Sequence, residues 1–301
     1  MFPEDTPTGI TRVFGKFRRP ILLATCAALA LTAGACSGGG NEQSAVPDEQ
    51  AVQQQTERAS ELMRIGDDLR AGGDLNAAAE MYRRAQSADP RSPAPPAALA
   101  DVLRRLGQYA ESEQVYRAAL ERSHFSGMLL QGYGILMLEK GQPEATIGAL
   151  SPAVDEEAAD PRVFNVLGIA YDALGDHAEA QRQYSAGLAL APDNRSLRSN
   201  MALSLALQER YDDAIAQLKS GDERDPAVGH NLAFVYGLAG RIEEAARISR
   251  QFLSDADVAN NLAYYQTIRA LAPAQRRTEI LALVLKTLFT APPSNGMANA
   301  K

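Results

Sequence analysis

The stretch Val163–Pro192, V-F-N-V-L-G-I-A-Y-D-A-L-G-D-H-A-E-A-Q-R-Q-Y-S-A-G-L-A-L-A-P, decides the fold. It carries two apolar-periodic segments separated by Gly175-Asp176 and closed by Pro192. Two antiparallel helices cross closely only where one side chain is nearly absent, which predicts that Gly168 faces Ala180. Tyr171 and Tyr184 then fill the space beside the crossing. Gly175 supplies a permissive backbone between the helices. Pro192 ends the second helix, because the residue before a proline avoids the α region.

Steps of 34 residues test whether this pair recurs. Backwards from Gly168 they land on Gly134, Ala100 and Gly66, and forwards on Ala202. The turn glycine gives Gly73, Gly107, Gly141 and Gly175. The large residue of the second helix gives Tyr82, Tyr116, Leu150 and Tyr184, and the small residue three later gives Ala85, Ala119, Ala153 and Gly187. Beyond Asn194 the spacing shortens to about 31 and then about 30. Asn231-Leu232-Ala233, Tyr236, Gly240 and Ala245 make a sixth unit, and Asn261-Leu262-Ala263 opens a seventh. A period held this long means a solenoid of stacked helix pairs, in which neighbours bury the apolar face that one pair cannot bury alone. The pattern resembles the tetratricopeptide repeat. The resemblance implies an all-α, right-handed solenoid of about six to seven helix pairs. Pro273 to Phe289 reads as a final helix with a strongly apolar side (Ile280, Leu281, Val284, Leu285, Leu288) that caps the open end.

Ahead of the repeats lies a different kind of sequence. Arg12, Lys16, Arg18 and Arg19 precede a short apolar run, Ile21 to Ala33, too short to span a bilayer comfortably. Ala33-Gly34-Ala35-Cys36 follows and resembles a lipoprotein processing site, in which the Cys36 thiol takes a diacylglyceryl group. Ala33 departs from that pattern, where leucine is usual, and an ordinary signal peptide cleaved near Ala35 is the other reading. Cys26 lies inside the apolar run. Acylation contributes about 0.8 kcal/mol per buried CH₂, so several chains anchor stably. Residues 36–55 are glycine-rich and glutamine-rich and read as a flexible tether, with the solenoid at 56–290 and a disordered tail at 291–301. After Cys36 there is no further cysteine, which excludes an intrachain disulfide and thiol catalysis in the mature chain. Ser37 next to Cys36, by analogy with proteobacterial lipoproteins, points to the periplasmic face of the outer membrane.

Charge and motifs narrow the function. Setting aside the four basic and two acidic residues of the leader leaves 26 basic and 35 acidic residues, a net charge of −9. A nucleic-acid partner needs a basic face, and no basic stripe is present. His124, His177 and His230 fall at different positions of the repeat, so the solenoid does not gather them. There is no H-E-x-x-H, no G-x-S-x-G and no phosphate loop. Gly132-Tyr133-Gly134 lacks the strand and the third glycine of a dinucleotide fingerprint. The acidic pairs Asp67-Asp68, Asp212-Asp213 and Glu243-Glu244 read as turns and helix starts, where negative charge suits the helix dipole. The expectation is a non-enzymatic chain without metal, cofactor or small-molecule substrate.

A groove remains as the candidate site. In this kind of solenoid the first helix of each pair lines the concave side. The residue after the small crossing position reads Asp67, Asp101, Ile135, Ile169, Leu203, Phe234 and Tyr264, acidic in the first two repeats and apolar thereafter. Asn200, Asn231 and Asn261 recur two places before the crossing residue, with Asn165 and Asn260 one place earlier. Asparagine amides both donate to and accept from a peptide backbone, so this row suits an extended or helical segment of a partner. The competing reading is that the asparagines bridge neighbouring helices and the superhelix covers the apolar row.

The closing repeats carry the most specific likeness. Arg247-Ile248-Ser249-Arg250-Gln251-Phe252-Leu253-Ser254, Val258-Ala259-Asn260-Asn261-Leu262-Ala263-Tyr264-Tyr265 and Leu203-Ser204-Leu205-Ala206-Leu207 resemble the TadD-like tetratricopeptide lipoproteins of the tight-adherence (Tad, or Flp) pilus system. The resemblance implies a lipid-anchored, outer-membrane assembly factor whose protein partners are the secretin channel or other pilus-export components. It brings no catalytic residues. An adaptor for another outer-membrane or cell-wall machine, such as a regulator of a peptidoglycan hydrolase, stays open beside it.

Overall fold

The computed structural model describes residues 49–155, 159–221 and 224–290. The leader, Cys36, most of the predicted tether and the tail after residue 290 lie outside the described residues. The helices pair in chain order: α1 (Glu49–Ala71) with α2 (Leu75–Ala88), α3 (Ala94–Arg105) with α4 (Tyr109–Leu120), and α5 (Gly127–Glu139) with α6 (Pro143–Leu150). The series continues through α7 (Pro161–Leu174) with α8 (His177–Leu190), α9 (Arg195–Leu207) with α10 (Tyr211–Lys219), and α11 (Pro226–Leu238) with α12 (Ile242–Ser249). Then come α13 (Asp255–Ala270) and α14 (Pro273–Thr290). The all-helical solenoid expected from the period is therefore present.

Local chemistry sets the boundaries. Gly73, Gly107, Gly141, Gly175 and Gly240 adopt left-handed backbone at the end of a first helix, where a Cβ is disfavoured. After α7, Gly175 N donates to Asp172 O at 3.0 Å and Asp176 N to Tyr171 O at 2.9 Å, which satisfies carbonyls the helix leaves open. Asp74, Asp176 and Asn194 each accept from the backbone N–H three residues on, at the start of α2, α8 and α9. Pro152 follows α6, which tightens into a single 3-10 turn at Ser151–Val154. α1 begins at Glu49, inside the segment 36–55 that composition assigns to a tether. Glu, Gln and Ala are good helix formers, so a stretch too polar to make a core still extends a helix whose later residues Ala59 and Leu62 are buried.

The packing places the large residue of the second helix against the crossing of its own pair, as Tyr82 does at Gly66 and Tyr184 at Gly168. Tyr82, Tyr116, Leu150 and Tyr184 are all essentially inaccessible to solvent. Burial of such a side chain contributes about 1.5–3 kcal/mol. The residue facing Gly168 differs from the expectation: a Cβ there would lie 2.3 Å from the Tyr184 ring, so the aromatic itself, not Ala180, occupies the space that glycine leaves. The same holds between Gly66 and Tyr82, at 2.5 Å.

From α3 onward each first helix touches the first helix of the next repeat, while the second helices touch only their sequence neighbours. The first helices are therefore the inner layer of the stack. α14 breaks the alternation. As the second helix of a seventh pair it would lie in the outer layer against α13. Instead it packs mainly on α9, α5 and α7, and makes few contacts with α13. It closes apolar surface, as its composition predicts, but the surface it closes is the inner face rather than only the end of the stack. Ile280 and Val284 are buried there, and Leu281 and Leu283 are partly buried. The side chains of Leu285 and Leu288 lie outside the described residues.

Candidate functional site

The inner face falls into three zones. At the N-terminal end the acidic residues are already paired. Asp67 accepts from Arg70 at 2.9 Å and from the Tyr82 hydroxyl at 2.8 Å. Asp67-Asp68 sits near the end of α1 rather than at a helix start, so the dipole argument does not apply to this pair; Arg70 and Tyr82 hold Asp67, and Asp68 lies 3.5 Å from Arg64 with both side chains exposed. Asp212-Asp213 and Glu243-Glu244 do open α10 and α12. Asp101 accepts from Arg104 at 2.8 Å, and Arg104 also donates to Glu139 at 2.7 Å. Arg104 is almost completely buried, and the flanking carboxylates hold its guanidinium protonated despite the burial. At this end Asp67 and Asp101 are each held by an arginine of their own helix, while Asp68 stays exposed.

The central zone is where the predicted apolar row meets α14. Ile169 is wholly inaccessible and Leu203 is 7% exposed, so neither lines an open groove. Both belong to the core cluster that also contains Ile280 and Val284 of α14. Ile135 is partly buried against the same cluster. The asparagines here bridge helices: Asn200 Nδ2 donates to Asn165 Oδ1 at 2.8 Å, and Asn165 is buried. That is the bridging reading for this pair.

The third zone is formed by α11 and α13. Phe234 is also buried, its ring edge-on to Tyr265 with centroids 5.5 Å apart. Tyr264 stays 39% exposed. Asn231 and Asn261 are half-buried and Asn260 is exposed. Of the predicted groove residues, Tyr264, Asn260, Asn261, Asn231 and Asn200 thus keep access to solvent, while Ile169, Leu203, Phe234 and Asn165 are packed inside.

One cluster has the composition of a hydrolytic site. Asp172 is buried and accepts from Ser204 at 2.8 Å and Tyr184 at 3.0 Å, with His177 Nδ1 at 2.7 Å. Burial pushes its carboxyl up, against these three hydrogen bonds that favour the anion. The serine hydroxyl bonds to the carboxylate rather than to the imidazole, so there is no nucleophile–base pair, and Ser204 is fully buried. The cluster locks α7, α8 and α9 together. The His124 ring lies tilted beside Phe125 and the His230 ring beside Phe252, so the three histidines have separate surroundings. Among the described residues no group of three His, Cys, Asp or Glu side chains could hold a metal ion, and no helix is long and apolar enough to cross a membrane.

Sequence reasoning missed Glu209. It has left-handed backbone, φ 61°, and its carboxylate accepts from Arg276 of α14 at 3.0 Å. Its signal was available: one more step of the repeat period from Gly175 lands on it, and every earlier step lands on glycine.

A stack of helix pairs whose first helices form one continuous inner layer defines a helical-repeat fold, an architecture suited to binding other proteins. Three family models described as tetratricopeptide repeat match residues 69–126, 165–228 and 226–251. Among solved structures, a tetratricopeptide repeat protein from Parabacteroides merdae is 20% identical with a TM-score of 0.51, covering 78% of this chain and 100% of that one. The pilF protein of Pseudomonas aeruginosa is 22% identical with a TM-score of 0.51, covering 76% and 99%. At these identities the likeness is one of fold. A comparison with curated protein sequences gives no match.

Proposed function

We propose that this chain is a non-catalytic, lipid-anchored scaffold that assists assembly of the tight-adherence pilus export machine at the outer membrane, by binding the secretin or a neighbouring component. The observation that carries this reading is the joining of two sequence features in one chain. A basic and apolar leader ends in Ala33-Gly34-Ala35-Cys36, and a tetratricopeptide stack ends in the closing repeat Val258 to Tyr265. The absence of an assembled nucleophile in the Asp172 cluster fits a scaffold. An acyl anchor on Cys36 would hold the repeats at the membrane, where they search for a partner segment.

The test is in the native host. The membrane fraction is crosslinked, the protein is purified, and its companions are identified, with Cys36→Ser as the unanchored control. Recovery of a secretin or other pilus-export components, lost in the control, is the expected result. Recovery of cell-wall hydrolases in their place moves the function to an adaptor for peptidoglycan remodelling.

A further inference from the structure

Glu209 occupies a turn that glycine fills elsewhere. Its N–H donates to Ala206 O at 3.0 Å and Arg210 N donates to Leu205 O at 3.0 Å, the same pattern that Gly175 and Asp176 make after α7. A residue with a Cβ is disfavoured there, and such a conformation persists only where the surrounding structure holds it. Glu209 reaches α14. Arg276 Nη1 donates to Glu209 Oε1 at 3.0 Å and to the Tyr211 hydroxyl at 3.2 Å, and Nη2 donates to Leu271 O at 3.2 Å. From Arg276, the residues Ile280, Leu283 and Val284 follow at four, seven and eight places along one helical face. That face lies on α5, α7 and α9. The helix is thus tied at its start by an ion pair and laid by its apolar side into the inner layer. Its link to α13 is Leu271-Ala272, and it packs little on α13 itself. The acid of the pair is half exposed, so the tie is weak enough to open in water.

We propose that α14 is a displaceable resident of the inner face, latched by Glu209 and Arg276. The partner that gains this face is an amphipathic helix of the same pattern, a basic residue followed by apolar residues four, seven and eight places later. The resident helix lowers the partner's apparent affinity by the fraction of time it is seated. The inference rests on the scaffold reading but not on which machine the scaffold serves.

The test uses the full chain and a fluorescent peptide copying Pro273–Thr290, with binding read by anisotropy. Arg276→Ala in the protein loosens its own helix but leaves Glu209 free for the peptide's arginine. The peptide should then bind about fivefold tighter than to the wild type. Adding Glu209→Gly to that variant should remove the gain, and a peptide lacking the arginine should not distinguish the two receptors. Circular dichroism checks that each variant keeps its helices, and Glu209→Gly alone should be at least as stable as the wild type. Equal peptide affinity for the wild type and Arg276→Ala, with both folded, overturns the proposal. So does a dimer of Arg276→Ala formed by exchange of α14 between copies. Failure of this test leaves the pilus assignment untouched, because no cellular partner enters it.

Discussion

Gly168→Ala adds one methyl group where the fold has least room. The new Cβ would sit 2.3 Å from Tyr184 Cε1 and 2.6 Å from Cζ. The ring is fully buried, and its hydroxyl is held by Asp172 at 3.0 Å, so it cannot swing aside without breaking that bond. Overpacking of this kind costs about 1–3 kcal/mol. Against it stands the better helix propensity of alanine, worth about 0.8–1 kcal/mol. The net expectation is a loss of about 0–2 kcal/mol. Gly148→Ala in α6 isolates the propensity effect, because a Cβ there meets nothing within 4 Å. That variant should gain up to about 1 kcal/mol. Urea unfolding followed by circular dichroism gives both midpoints. The difference between the variants cancels propensity and leaves the clash, so it should fall near 1–3 kcal/mol. Equal midpoints for the two would refute the claim that the helix crossing is set by glycine against tyrosine. A Tyr184→Leu background should shrink the difference, since ring and methyl then no longer compete.

Three further outcomes follow from the polar interior. Because burial raises the Asp172 carboxyl, its contribution to stability is complete below the unfolded carboxylate range, near about 4, and is lost as pH rises through the raised value. Asp172→Asn cannot titrate, so the stability of the wild type relative to this variant should grow between pH 7 and pH 4; a flat or opposite trend in urea midpoints contradicts the assignment. Tyr184→Phe removes one donor from that carboxylate and should cost about 1–2 kcal/mol at neutral pH, with no loss indicating that the other two donors suffice. Arg104→Ala strands Asp101 and Glu139 on the inner face and should cost about 3 kcal/mol in thermal unfolding, whereas an unchanged melting temperature would mean that the network is solvated.

Most of the fold is legible in the sequence because each repeat solves the same local problem. The crossing residue, the turn glycine and the buried large side chain depend on neighbours within one or two helices, so their spacing repeats and can be counted. Gly66, Gly168, Tyr82 and Tyr184 carry that record. The candidate groove was legible in outline but not in occupancy. The register that places Ile169, Leu203 and Phe234 on the first helices is sound, yet these side chains are buried. α14, a helix from the far end of the chain, packs once on the helices that carry the central part of the row, and a contact made once leaves no period. The asparagines show the same limit: their spacing is visible, but that Asn200 serves Asn165 depends on how two adjacent helices rotate against each other.

The trace that the returning helix leaves among the repeats is a break in the rule rather than an instance of it. Glycine holds the turn after α1, α3, α5, α7 and α11, while after α9 the chain keeps the left-handed backbone and installs Glu209. A turn that needed only to connect two helices would be easier to make with glycine there. A carboxylate at that place gains something only if a cation arrives, and the cation is Arg276 of α14. The exception therefore encodes long-range geometry that the periodicity cannot: it marks the repeat where the inner face is latched. Exchange of that one side chain should change the seating of α14 while leaving the stack of repeats intact.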